Sequence, residues 1–247
     1  MSAHVFENTH IVLVATSHPG NIGATARAMK TMGVSSLRLV RPKAFPSAEV
    51  TARAAGADDI LARARVVETL AAAVDDCGLI LATTARTRGL AWPELTPAEG
   101  AARLLAAATA GAQVAVVFGN ERSGLSNDEL ESCQGAIRIP TACDYSSLNL
   151  AAAVQIICYE LHKQLPAGLP VPVAPEAPLA TGAQLQQLYQ HLEQCLIDIG
   201  FYNPEQPLLL MRRLKRLFNR AQLDANEYNI LRGILAAAQE RAKGRSS

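Results

Sequence analysis

Net charge, paired cysteines and long apolar runs are all scarce in this chain of 247 residues. Its 23 Lys+Arg and 22 Asp+Glu leave a formal charge of +1, so bulk electrostatics select no partner, and any nucleic-acid contact must rest on local charge. No apolar run reaches the roughly 18 residues that a membrane span needs. His4, Glu7 and Asn8 stand where a signal peptide would carry its apolar core, so a cytosolic protein without membrane attachment is expected. Five cysteines, Cys77, Cys133, Cys143, Cys158 and Cys195, are an odd number without C-x-x-C spacing. That pattern argues against a disulfide framework and a zinc site, and it predicts buried packing thiols and no metal.

Several chemical signatures are missing as well. Gly20-Asn-Ile-Gly23 follows a strand-like run, but the G-x-G-x-x-G dinucleotide fingerprint is incomplete. The second strand-like run ends in Arg41 and Pro42 where that fingerprint needs an acid. There is no G-x-S-x-G elbow to pair with His18, and no H-E-x-x-H.

The composition that remains, 49% hydrophobic and 18% charged, is that of a folded globular chain. Prolines 166, 170, 172, 175 and 178 mark residues 165–180 as a linker, because at that density the backbone lacks donors for helix or interior strand. Before it, residues 1–164 alternate apolar strand-like runs (11–15, 37–40, 79–83, 114–118 and 136–139) with helical stretches. The first helix is expected from about Gly23 to Met32, and the last from Asn149 to Lys163. Thr96-Pro97-Ala-Glu99 and Ser126-Asn-Asp-Glu129 are capping boxes that fix two further helix starts. Apolar strands separated by helices predict an α/β domain with a Rossmann-like parallel sheet covered on both faces. Beyond the linker, residues 181–247 show helical spacing only: Leu185, Leu188, Leu192 and Leu196 in one helix, Ile230, Leu231, Ile234 and Leu235 in another. Between them Arg212, Arg213, Lys215, Arg216 and Arg220 crowd one helix, whose Leu210, Leu214, Leu217 and Phe218 are free to face a core.

Three turns, each after a strand, concentrate Gly, Asn, Ser and Thr. They are Ser17-His-Pro-Gly-Asn-Ile-Gly-Ala-Thr-Ala-Arg27, Phe118-Gly-Asn-Glu-Arg-Ser-Gly-Leu125, and Tyr145-Ser-Ser-Leu-Asn-Leu150 after Ile139-Pro140. In an open parallel sheet such loops converge beyond the carboxyl ends of the strands, where ligands bind.

In these three motifs and their order the chain resembles the SPOUT (trefoil-knot) RNA methyltransferases, and within them the TrmJ-type tRNA 2′-O-methyltransferases. The resemblance runs over residues 8–163, and the basic helical tail is similar to the extension of the TrmJ type. It implies a knotted SPOUT domain with a small all-α C-terminal extension, a homodimer, S-adenosylmethionine as cofactor and tRNA as partner. The implied reaction is 2′-O-methylation of cytidine or uridine at anticodon-loop nucleotide 32. Another tRNA or rRNA site, or a non-catalytic knotted RNA-binding protein, are the alternatives.

Carried over residue by residue, the resemblance places Arg27 at the target ribose. It puts Thr83, Thr84, Ala85, Gly119, Ile139, Ser146, Ser147 and Leu148 around the cofactor, with Asn21, Glu121 and Asn149 as supports. Arg86 and Arg88 would hold RNA near the methyl group, and Arg212, Arg213 and Arg216 would hold it on the tail. Ser146 and Ser147 would equally serve as helix caps, and Trp92 beside Pro93 as loop packing. Asn120 departs from the pattern of the resemblance, which has a basic residue there.

Overall fold

The computed structural model describes residues 6–85, 94–142, 147–165, 177–205 and 209–243. Ser146, Arg86, Arg88 and Trp92, together with most of the proline-rich stretch, lie outside them. Among the described residues seven strands, β1 (Thr9–Val14), β2 (Ser36–Val40), β3 (Arg65–Val67), β4 (Cys77–Thr83), β5 (Glu94–Leu95), β6 (Gln113–Phe118) and β7 (Gly135–Ile137), form one sheet in the order β3-β2-β1-β6-β4-β7-β5. All pairings are parallel. The helices are α1 (Pro19–Thr31), α2 (Ala48–Ala54), α3 (Asp58–Ala62), α4 (Leu70–Ala73), α5 (Pro97–Thr109), α6 (Asn127–Glu131), α7 (Leu150–Lys163), α8 (Gly182–Asp198), α9 (Leu210–Ala221) and α10 (Ala225–Lys243).

Because successive side chains on a strand alternate, each central strand contributes to two cores. Ile11, Leu13, Leu79, Leu81, Val116 and Phe118 pack under Ile22 and Met29 of α1, Leu104 of α5 and Val154 and Ile157 of α7. Val12, Val14, Ile80, Ala82, Ala115 and Val117 point to the opposite face, against Leu70 and Ala73 of α4, Leu125 and Cys133. Cys77, Cys133, Cys158 and Cys195 are buried free thiols, as expected of packing residues.

The start of α1 and two short strands differ from the sequence expectation. Helix α1 begins four residues early, at Pro19, because the His18 side chain accepts the Gly20 N–H as an N-cap and proline fits the first helical position. Gly23 therefore lies inside the helix, where its missing side chain lets α1 pack on α2; a Cβ there would stand 2.1 Å from the Val50 carbonyl oxygen. Strands β3 and β5, three and two residues long, are too short to show a periodicity.

Under β1 and β2 lies a polar core. The Arg38 guanidinium holds Asp76 through two hydrogen bonds of 2.6 and 2.8 Å. His10 bonds Ser36 and Gln113 at 2.7 Å each. His10, Asp76 and Cys77 bring ligand atoms within 4.8 Å of one another, but Arg38 already bonds both Asp76 and Cys77. Burial, reinforced by the Arg38 charge, pushes the His10 imidazole down to about 4. A histidine whose folded-state value is depressed contributes stability that is complete above about 6.5 and is lost as pH falls toward 4. Denaturant midpoints should therefore fall between pH 7 and pH 4.5. His10→Gln should flatten that slope; an unchanged slope would place the sensitivity elsewhere.

The tail has its own small core of Leu185, Leu188, Tyr189, Leu223 and Tyr228. It also packs on the sheet domain. A Cβ at Gly182 would stand 2.5 Å from the Val74 carbonyl oxygen, and one at Gly78 would stand 2.9 Å from the Leu179 side chain. Within α10, Leu231 and Leu235 pack half-buried against the tail core, whereas Ile230 and Ile234 are 61% and 59% exposed, so only half of the expected apolar set faces the core.

Candidate active site

The carboxyl ends of the adjacent strands β6, β4 and β7 open into a cleft of about 270 Å³, near the lower end of ligand pockets at roughly 300–1,000 Å³. Seven residues expected around a cofactor, Thr83, Thr84, Ala85, Gly119, Ile139, Ser147 and Leu148, line it. They arrive there from three loops and the head of α7. Sequence reasoning missed Arg122, Ser123, Leu125, Leu130 and Ile137 in the same lining, although the first three of them belong to the second motif. The contiguity of that motif was the signal available.

At Gly119 the chain doubles back so tightly that a Cβ would stand 2.3 Å from both Gly124 C and Leu125 N. The turn is closed by the Gly124 N–H donating to Asn120 O at 2.8 Å, with Gly124 in the left-handed region at φ 69°. Asn120 supplies the remaining ties. Its side-chain amide donates to Ala15 O at 2.6 Å, and its side-chain oxygen accepts the Arg122 N–H at 2.9 Å. The residue that departs from the resemblance is thus occupied within the chain, fastening the second motif to the end of β1.

Glu121, in the second motif, binds the first and reaches the third through Asn21. Its carboxylate accepts from Ser17 N (2.9 Å), Ser17 Oγ (2.8 Å) and Asn21 Nδ2 (2.8 Å). Asn21 Oδ1 in turn accepts from Asn149 Nδ2 at 2.9 Å, and Asn149 Oδ1 caps α7 by accepting the Ala151 N–H at 2.9 Å. Burial alone would raise the Glu121 carboxyl, but the donors from Ser17 and Asn21 overcome it and hold it at about 2, so it is ionised at neutral pH. Helix α7 is thus capped by Asn149, which leaves the Ser147 side chain free for the cleft it lines.

Arg27 lies elsewhere. It is exposed on α1, more than one turn beyond Asn21, and is not among the residues lining the cleft of its own chain. On α9, Arg213 and Arg220 are exposed and Arg216 half-buried. Arg212, by contrast, is ion-paired through Nε with Glu131 of α6, so one expected RNA contact is engaged within the chain. Leu217, expected in the core, is 46% exposed, because the face of α9 turned inward carries Met211 and Asn219.

Strand-end loops of a parallel sheet thus build one cleft, with the first two motifs joined by the Glu121 carboxylate and the third tied in through Asn21. The pattern of the SpoU rRNA Methylase family matches residues 8–159, and that of the tRNA methyltransferase TrmJ C-terminal domain matches residues 183–247. The chain is 47% identical to a tRNA (cytidine/uridine/adenosine-2′-O-)-methyltransferase TrmJ of Pseudomonas aeruginosa, over 98% of each chain. It is 48% identical to a tRNA (cytidine/uridine-2′-O-)-methyltransferase TrmJ of Pectobacterium atrosepticum, over 96% of this chain and 98% of the relative. The crystal structure of TrmJ from Z. mobilis superposes with a TM-score of 0.81 at 34% identity, covering 93% of this chain and 98% of that one. The chain belongs to the SpoU methylase family and, within it, to the TrmJ branch.

Proposed function

We propose that this protein is a cytosolic, homodimeric enzyme that transfers a methyl group from S-adenosylmethionine to a ribose 2′-hydroxyl of tRNA. Its target is cytidine or uridine at nucleotide 32 of the anticodon loop. The observation that carries the reading is the cleft over β6, β4 and β7, lined by Thr83, Thr84 and Ala85 and by the second and third motifs, to which Glu121, Asn21 and Asn149 tie the first. The near full-length likeness to relatives named for this reaction supports it. A knot in the C-terminal part of the sheet domain and an active site completed across a two-fold axis belong to the same proposal.

The cleft residues suit the cofactor. Gly119 leaves bare backbone on one wall, Leu125, Ile137, Ile139 and Leu148 offer apolar faces to an adenine, and Thr84 and Ser147 offer polar groups. S-adenosylmethionine, when bound, supplies a methyl group made electrophilic by its sulfonium. The protein then has to align the attacking oxygen, carbon and sulfur and stabilise charge on the oxygen. Arg27 stabilises that charge, its planar fork spanning the neighbouring phosphate and the 2′-oxygen. A guanidinium that stays protonated stabilises an alkoxide without itself taking the proton. Because Arg27 is outside the cleft of its own chain, the dimer brings it to the cleft of the other copy.

On the tail, Arg213, Arg216 and Arg220 recur at helical spacing along one side of α9 and meet RNA phosphates, and Arg86 and Arg88, close after Ala85 in the sequence, are further RNA contacts. Changing Arg213, Arg216 and Arg220 together to glutamine should weaken tRNA binding and reduce the slope of log affinity against log salt by about 0.7–0.9 for each phosphate no longer neutralised. Filter binding across a salt series checks this. An unchanged slope would remove the tail from the RNA interface.

A further inference from the structure

The short helix α6 follows the cleft loop directly. Its cap, Ser126, comes one residue after Leu125, and both Leu125 and Leu130 line the cleft. The far end of this five-residue helix is held from the tail. Asn219 of α9 donates its amide to the Glu131 carbonyl at 2.8 Å, and Arg212 pairs with the Glu131 carboxylate. Asn219 is only 3% exposed, and its side-chain oxygen accepts the Tyr189 hydroxyl from α8. A buried asparagine satisfied on both sides, one toward the tail core and one toward α6, is a rigid strut, because leaving either partner unpaired there is costly.

We propose that Arg212 and Asn219 are positioning residues for the cofactor site. Through Glu131 they set the place of α6, and α6 sets the Leu125–Leu130 wall of the cleft. The tail is then part of the support of the methyl-donor site as well as an RNA-binding element. Arg212 serves the cofactor, and the outer cations of α9 serve RNA. The inference rests on the reading of the cleft as the S-adenosylmethionine site, and the experiment separates failure of the two.

Calorimetric titration of the full-length protein with S-adenosylmethionine alone, without RNA, is the test, accompanied by tRNA affinity and a thermal midpoint for every variant. Arg212→Gln and Asn219→Ala should each weaken cofactor binding about fivefold or more, the scale of a modest coupling between sites, and leave tRNA affinity unchanged. Arg212→Lys, which keeps a cation beside Glu131, should bind the cofactor nearly as the parent does. Tyr228→Phe removes the hydroxyl bond to Gln187 inside the tail core, away from Asn219, Arg212 and α6. It should lower the midpoint while sparing cofactor affinity, so a merely structural loss is recognisable. Parent-like cofactor affinity in both Arg212→Gln and Asn219→Ala would overturn the proposal. So would an Arg212→Gln protein that loses tRNA affinity and keeps the cofactor, since Arg212 would then leave Glu131 to contact RNA. A parent protein that fails to bind S-adenosylmethionine would instead sink the underlying reading of the cleft.

Discussion

Arg27→Ala should bind S-adenosylmethionine as tightly as the parent and yet transfer the methyl group about 10²–10³-fold more slowly, the loss typical when one preorganised donor to a developing oxyanion is removed. Arg27 stands on the exposed face of α1, clear of the residues that line the cleft, so its removal leaves the cofactor wall intact. Its contribution belongs to the transition state, and kcat and kcat/KM should therefore fall together. Arg27→Lys should recover little, because an ammonium lacks the planar fork that spans two oxygens. Single-turnover rates at saturating tRNA, beside calorimetry with the cofactor, check both statements. Near-parent rates in the alanine variant would return Arg27 to an ordinary surface position.

Gly119→Ala should reduce cofactor affinity at least about 100-fold, because overpacking against backbone cannot be relieved by a rotamer change and forces the chain itself to move. The added Cβ would meet Gly124 C and Leu125 N at 2.3 Å, both atoms of the loop that folds over the cleft. The shift would also break the Asn120–Gly124 bridge that closes the turn. The fold should survive, since Gly119 sits at the rim, beyond the end of β6 at Phe118. Calorimetry with S-adenosylmethionine and a far-UV spectrum separate the outcomes: a folded protein that still binds tightly would mean that the cofactor does not sit against this loop.

Much of the architecture is visible in the chain before any coordinates. Apolar runs such as Ile11–Val14 and Val114–Phe118 are buried on both sides, and only a covered parallel sheet buries both faces of a strand. Cap chemistry is equally readable: Thr96 with Glu99 and Ser126 with Glu129 form the reciprocal bonds their spacing implies. The lining of the cleft is legible because its residues are contiguous in short motifs, so a local reading captures a pocket assembled from distant strands. What stays hidden is contact between elements. Periodicity treats α9 as a helix with one wet and one dry side. It cannot show that Arg212 and Asn219 lie against α6, since that depends on where the tail packs. For the same reason Leu217, Ile230 and Ile234 are apolar by spacing but remain exposed. The relay from Glu121 through Asn21 to Asn149 spans 128 residues of sequence between its last two members and becomes apparent only in the folded chain.

The measurement that bears most directly on the enzyme's identity is mass-spectrometric mapping of ribose methylation in unmodified tRNA transcripts incubated with the purified protein and S-adenosylmethionine. One added methyl on the 2′-oxygen of cytidine or uridine at nucleotide 32, absent when Arg27 is alanine, is the predicted result. Methylation of a base, or transcripts that come through unmodified with a protein that binds both cofactor and tRNA, would contradict it.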